Sequence, residues 1–227
     1  MPTLNVLKDG YCLNVTQGST WAATRDAATS SNVNTSSTRL TVDCVHISGR
    51  GPTLFAVSRT FLYFNTTGIS AEVSSATLKL YGGTNQNNTD FIAVKGTQSG
   101  DPATSDFDSM TGWSTGSADG SGAGDNESNV TKYSAEIDQG DVSTSGYFDV
   151  PLNAQAMADM ENNGTLGVVL INFDYDLKDI DPGAGNINSL VLWSADYSSG
   201  SRIPYIDYTL AGAAAVTHNA PFFGTNF

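Results

Sequence analysis

Two neighbouring segments constrain this chain most: Ser58-Arg-Thr-Phe-Leu-Tyr-Phe-Asn65 and Ala76-Thr-Leu-Lys-Leu-Tyr-Gly82. The first is dense in aromatic and β-branched residues, which pack well on a pleated surface. In the second, Ala76, Leu78 and Leu80 fall on one side and Thr77, Lys79 and Tyr81 on the other. Strand side chains alternate between faces, so this spacing buries one face and wets the other. A chain built on such segments folds as a sheet with a shared core.

Further strand signals lie at 3–7, 10–15, 39–47, 91–96, 147–152, 189–195 and 203–210, and Asp9-Gly10 and residues 82–88 read as turns. Residues 24–38 are too poor in apolar side chains to be core. Residues 166–173 are apolar on both faces, as in a central strand covered from both sides. Asn153 is a good N-cap for one short helix over 154–162, where Ala156, Met157 and Met160 make an apolar stripe and Gly164 is a stop signal. Strands without βαβ alternation predict an all-β fold: a single antiparallel two-sheet jelly-roll β-sandwich over 1–210, followed by an extended C-terminal arm, 211–227. Between 97 and 129 runs a Gly-, Ser-, Asp- and Thr-rich stretch holding Phe107, Met110 and Trp113. A loop of that length with three large apolar residues is expected to be pinned down.

A length of 227 residues suits one β domain with a sizeable core. Ten Lys and Arg against 23 Asp and Glu give a net charge of −13. Such a surface repels phosphate backbones and anionic headgroups, which argues against nucleic-acid and membrane partners. No apolar run reaches membrane-spanning length, and the start carries no basic, apolar leader. Synthesis in a cytoplasm is therefore expected, with Cys12 and Cys44 reduced and buried.

The order of segments resembles the DNRLRE-type jelly-roll domains, which are similar to carbohydrate-binding modules. The resemblance is carried by Asp9-Gly10-Tyr11 with Trp21, by Arg59–Phe64 followed by Ser75–Tyr81, by Phe148-Asp149-Val150, and by Ala195-Asp196-Tyr197 before Pro204-Tyr-Ile-Asp-Tyr208. The long loop at 97–129 departs from the shorter family pattern. Domains of this type occur in secreted bacterial proteins and in structural proteins of bacteriophage particles. The resemblance implies a non-enzymatic virion structural protein, a capsid decoration, fibre or tail-associated component, made in the host cytoplasm. It would assemble with other virion proteins and with copies of itself. The alternative implied is a carbohydrate-binding module attaching to surface glycans.

Candidate sites follow from residue chemistry. No catalytic residue is assigned: His46 and His218 have no nucleophile motif nearby, and no zinc-ligand pair or phosphate loop is present. Asp174, Asp176, Asp179 and Asp181, followed by Pro182-Gly183, form the densest carboxylate run. Calcium takes six to eight oxygens, so they are the calcium candidates, although their spacing is not that of a twelve-residue calcium loop. A solvated acidic loop is the preferred reading, and Gly120, Gly122, Gly124 and Asp125 support calcium still less. No cofactor is expected. Trp193 reads as core, whereas Trp113 in the polar loop is the candidate for an exposed, sugar-stacking ring. Phe222, Phe223 and Phe227 are costly to leave in water and are expected to dock the arm on a partner.

Overall fold

The computed structural model describes residues 1–87, 89–115, 125–197 and 201–212. Their strands are β1 (Thr3–Asn5), β2 (Lys8–Gln17), β3 (Asn32–Asn34), β4 (Arg39–Ile47), β5 (Leu54–Asn65), β6 (Val73–Gln86), β7 (Phe91–Lys95), β8 (Tyr147–Pro151), β9 (Thr165–Asn172), β10 (Asn186–Trp193) and β11 (Tyr205–Leu210). Two helices, α1 (Trp21–Arg25) and α2 (Ala154–Asn162), accompany them. Neighbouring strands pair in the order β1-β11-β6-β10-β4-β5-β2-β3, with β8 joined to β6 and β9 to β5 and β7. The pairings are antiparallel. The fold is all-β and sandwich-like, as the alternation predicts.

Two long strands turn the corners. One edge of β5 pairs with β2 from Leu54 to Tyr63, while its other edge serves β4 as far as Ser58 and β9 from Thr60. Strand β6 lies between β11 and β8 up to Tyr81, then passes to β10 from Gly82. Sharing a strand between ladders lets one sheet fold over on itself.

The first core fills the space between the folded layers. It holds Leu62, Phe64, Leu78, Leu80, Phe91, Val150, Leu166, Val168, Leu170 and Ile206, with Ala156 and Met160 from α2. A second core collects Cys12, Val57, Phe61, Ile92, Val94, Val169 and Ile171 under Trp21, Phe107, Met110, Val130, Phe173 and Leu177. Strand β9 is apolar on both faces because alternate residues enter different cores. The long loop is pinned, as expected. Thr97 N–H donates to Ser109, Thr111 N–H to Lys95 and Lys95 N–H to Thr131, laying the loop over the β7 end of the sheet.

Several boundaries differ from expectation. Asp9-Gly10 is not a turn but lies inside β2. Glycine is needed there because a Cβ would sit 2.6 Å from the Asn34 carbonyl oxygen and 2.8 Å from the Pro102 ring. The polar stretch at 82–86 is the second half of β6, and a Cβ on Gly82 would collide with the Ser143 carbonyl. The stretch beginning at Thr24 is not wholly surface: α1 buries both Thr24 and Arg25, so two α-helices lie among the described residues where one was expected. Helix α2 matches its predicted range, and the Asn153 side chain accepts from Ala156 N–H at 3.1 Å. Both thiols are free and buried, and burial pushes the Cys12 thiol up to about 11. The expected arm, 211–227, lies outside the described residues from position 213 onward, and so do Phe222, Phe223 and Phe227.

Candidate functional site

The four calcium-candidate aspartates do not converge. The Asp176 carboxylate takes a two-pronged contact from Arg59, Nε at 2.8 Å and Nη2 at 2.7 Å. Asp179 lies 3.8 Å from Arg25 Nη1, and both are fully buried. Asp181 meets His46 Nδ1 at 2.7 Å, and Asp174 faces Lys178 at 3.1 Å. The π-helical turn Phe173–Leu177 causes the split, turning Asp176 inward while Asp174 stays at the surface. The solvated acidic loop expected from sequence is therefore wrong for Asp176 and Asp179. Their partners lie more than a hundred residues away and gave no local signal.

Arg25 and Arg59 form the centre of a buried hub. Arg59 also donates to the carbonyls of Phe107 at 2.7 Å and Arg25 at 2.9 Å. Arg25 Nε donates to the Asp176 carbonyl at 2.6 Å, and its Nη1 to Asp26 Oδ1 at 2.6 Å. Trp113 belongs to this hub rather than to the surface. Its half-buried ring lies 4.2 Å from the Arg59 guanidinium carbon and 4.6 Å from that of Arg25. A ring face covered by cations is not open to a sugar, so the exposed-platform expectation for Trp113 is corrected. Charge, ring and backbone carbonyls together join α1, β5, the long loop and the π-helical turn.

An aromatic cluster does form, on the outward face of β6, β8, β10 and β11. Tyr81 stands opposite Tyr147 in the β6–β8 ladder, their ring centroids 5.1 Å apart, and Tyr147 meets Tyr205 at 5.2 Å. Trp193 and Tyr197 lie 4.3 Å apart. The Arg202 guanidinium carbon is 4.5–4.7 Å from the rings of Tyr81, Trp193 and Tyr197, and that of Arg39 lies 5.5 Å from Trp193. Trp193 is thus not core: Leu190 and Leu192 point inward, and alternation sends Trp193 out, half-exposed. Among the described residues, neither Arg39 nor Arg202 has an ion-pair partner, on a chain carrying 23 acidic residues. Sequence alternation had placed Tyr81 outward, but only the strand order brings the other rings to it.

Three carboxylates from separate segments do meet: Asp90, Glu136 and Asp174 offer oxygens within 4.8 Å of one another. Burial and mutual repulsion raise the Asp90 and Glu136 carboxyls above the ordinary range. Three oxygens are about half of calcium's usual shell, and Lys178 already neutralises Asp174.

Two other acids make stability depend on pH. Burial raises the Asp9 carboxyl to about 6, with Asp196 and Asp101 adding repulsion, and burial raises Asp43 to about 6. An acid whose folded pKa lies above its unfolded value stabilises most in its protonated form, and that contribution disappears as pH rises through 6. Asp159 behaves oppositely: burial pushes its carboxyl up, but Lys95 and Tyr133 outweigh burial and hold it below the usual value. Its contribution is lost in acid. Melting temperature should therefore rise from pH 7.5 to about 5 and fall below about 4. Asp9→Asn and Asp43→Asn should each flatten the upper limb by on the order of 1–2 kcal/mol. Thermal melts across this range check both limbs; a melting temperature that climbs steadily from pH 5 to 7.5 contradicts the assignment.

No protein-family model and no curated protein matches this chain.

Proposed function

We propose that this protein is a non-enzymatic structural component of a bacteriophage-like virion, a decoration, fibre or tail-associated piece that works through protein–protein assembly. The observation that supports this reading is the outward face carrying Trp193, Tyr197, Tyr81, Tyr147, Arg39 and Arg202. Tryptophan, tyrosine and arginine are the residues that most often dominate binding energy at interfaces. Two arginines without a carboxylate partner among the described residues, on a chain of net charge −13, fit an acidic counter-surface. The remaining surface of a second copy supplies one. A contact between two different patches of identical chains propagates into rings or open arrays, the geometries a particle uses. The resemblance in motif order points the same way, as do the phenylalanines at 222, 223 and 227, which would hold a neighbouring subunit.

Native mass spectrometry and negative-stain imaging of the full chain test this. Rings, trimers or filaments are expected, and Arg202→Glu and removal of 211–227 should each reduce the assembled fraction at least tenfold. A monomer at all concentrations, or assemblies that ignore both changes, would overturn the reading.

A second reading, attachment to a surface glycan, is favoured by the polar cleft that Tyr63, Lys95, Gln98 and Tyr133 line.

A further inference from the structure

Strand β8 pairs along one edge only. The Gly146 carbonyl accepts from Gly82 N–H at 3.1 Å and Leu152 N–H donates to the Ala76 carbonyl at 3.0 Å. Antiparallel ladders bond every second residue, so Phe148 and Val150 carry the pairing with β6 between those two points. Tyr147 and Asp149 therefore turn their N–H and C=O groups away from β6, and Pro151 turns its C=O. Among the described residues nothing bonds to these groups. Other edges are covered or short. Segment 131–137 lies along β7 through bonds at Phe91, Tyr133 and Lys95, while β1 and β3 have three residues each. An open strand edge is a template for another extended chain.

A groove of about 400 Å³ lies beside that edge. Ala135, Ile137 and Pro151 give it apolar walls, and Glu136, Asp141 and Asp149 add carboxylates. This lining limits what fits. Three carboxylates repel an acidic segment. Pairing β8 with β8 of a second copy about Asp149 would set two like charges opposite each other. The occupant must be extended, partly apolar and without acidic side chains. Residues 213–227, outside the described residues, hold no acidic side chain and carry Val216, Phe222, Phe223 and Phe227. That length reaches about 50 Å when extended.

The point of departure decides whose tail it is. Strand β11 ends at Leu210 opposite Val73, and Ala211 N–H donates to the Glu72 carbonyl at 2.7 Å. Strand β8 ends at Pro151 opposite Thr77, on the other side of β6 but at the same end of the sheet. There the chain continues through Leu152 and Asn153 into α2. A tail returning to its own β8 would cross that link, and connections on one edge of a sheet avoid crossing. A tail from a second copy crosses nothing.

We propose that β8 accepts part of residues 213–227 of a second copy as an added strand, its backbone pairing with Tyr147, Asp149 and Pro151 while Phe222 or Phe223 enters the groove. Because strand side chains alternate, the other phenyl ring lands on the outward face beside Tyr147. Each chain then has one donor and one acceptor, a contact that propagates from copy to copy. The proposal rests on the assembly reading and supplies its acceptor surface.

The test uses full-length chains, followed by native mass spectrometry and amide exchange. Asp149→Pro deletes an N–H that faces away from β6, so it blocks the incoming strand and keeps the ladder. Asp149→Ala removes the carboxylate and keeps the N–H. Phe222→Asp with Phe223→Asp spoils the donor. Asp149→Pro and the double phenylalanine variant should each cut the assembled fraction at least tenfold, whereas Asp149→Ala should not. Mixing the two defective chains should restore one-to-one pairs, one supplying a sound tail and the other a sound edge. In the parent, exchange at the Tyr147 and Asp149 amides should slow at least tenfold as concentration enters the assembled range, a readout that stands even if Asp149→Pro does not fold. Assembly kept in Asp149→Pro yet lost in Arg202→Glu would overturn strand addition and leave the assembly reading standing. Slow exchange at these amides in a monomer would place the tail on its own chain and overturn the second-copy assignment. Parent chains that stay monomeric with fast exchange at every concentration would overturn both.

Discussion

Arg59→Met is expected to destabilise the protein by about 3–5 kcal/mol, read as a lower denaturation midpoint with an unchanged slope. Arg59 is fully buried and gives four hydrogen bonds to a closed set: both Asp176 oxygens and the carbonyls of Phe107 and Arg25. Removing it leaves Asp176 buried beside Arg25 alone, 3.7 Å from Arg25 Nε. Two carbonyls lose their donors in the same step. Desolvating two ions is itself expensive, so the loss measures an orphaned charge rather than the pair's net worth. Arg59→Met combined with Asp176→Leu should therefore recover part of the loss, and the double-mutant cycle should show coupling above 1 kcal/mol. A single-variant loss below 1 kcal/mol would mean that water reaches the hub and that its burial is misplaced.

Phe107→Ala is expected to cost a further-reaching 3–5 kcal/mol, the range for truncating a buried aromatic ring. Phe107 is fully buried in the second core, and its ring lies 4.1 Å from the Arg59 guanidinium carbon. With Trp113, it joins the long loop to both the sheet and the hub. Its loss should expose the loop, so limited proteolysis should cut within 97–130 far faster than in the parent protein. Amide exchange in β7 and β9 should quicken as well, because Ile92, Val94, Val169 and Ile171 lose their cover. Cutting at the parent rate with a melting temperature within a few degrees would show that the loop is held by its backbone hydrogen bonds instead.

The candidate sites divide by how far their causes extend along the chain. Trp113, Asp176 and Asp179 were visible as residues, yet their roles were misread because Arg25 and Arg59 decide them from 54 or more positions away. Trp193 was misread for a simpler reason: adjacent to leucines, it shares their strand but not their face. Gln98, buried in the polar cleft, gave no signal at all. An amide in a polar loop reads as solvated until the sheet around it removes the water.

Alternation along Ala76–Tyr81, the double-sided apolar run of β9 and the Asn153 cap were sufficient for fold class and for α2, since each depends on neighbours within a few residues. Which strands adjoin is a different matter. The handover of β5 from β4 to β9, the pairing of Tyr81 with Tyr147 and the burial of two arginines over two aspartates all arise from long-range packing. A side chain's periodicity declares whether it faces in or out of its own strand, but solvent and partners are supplied by the other layer, and only the folded chain brings that layer into place.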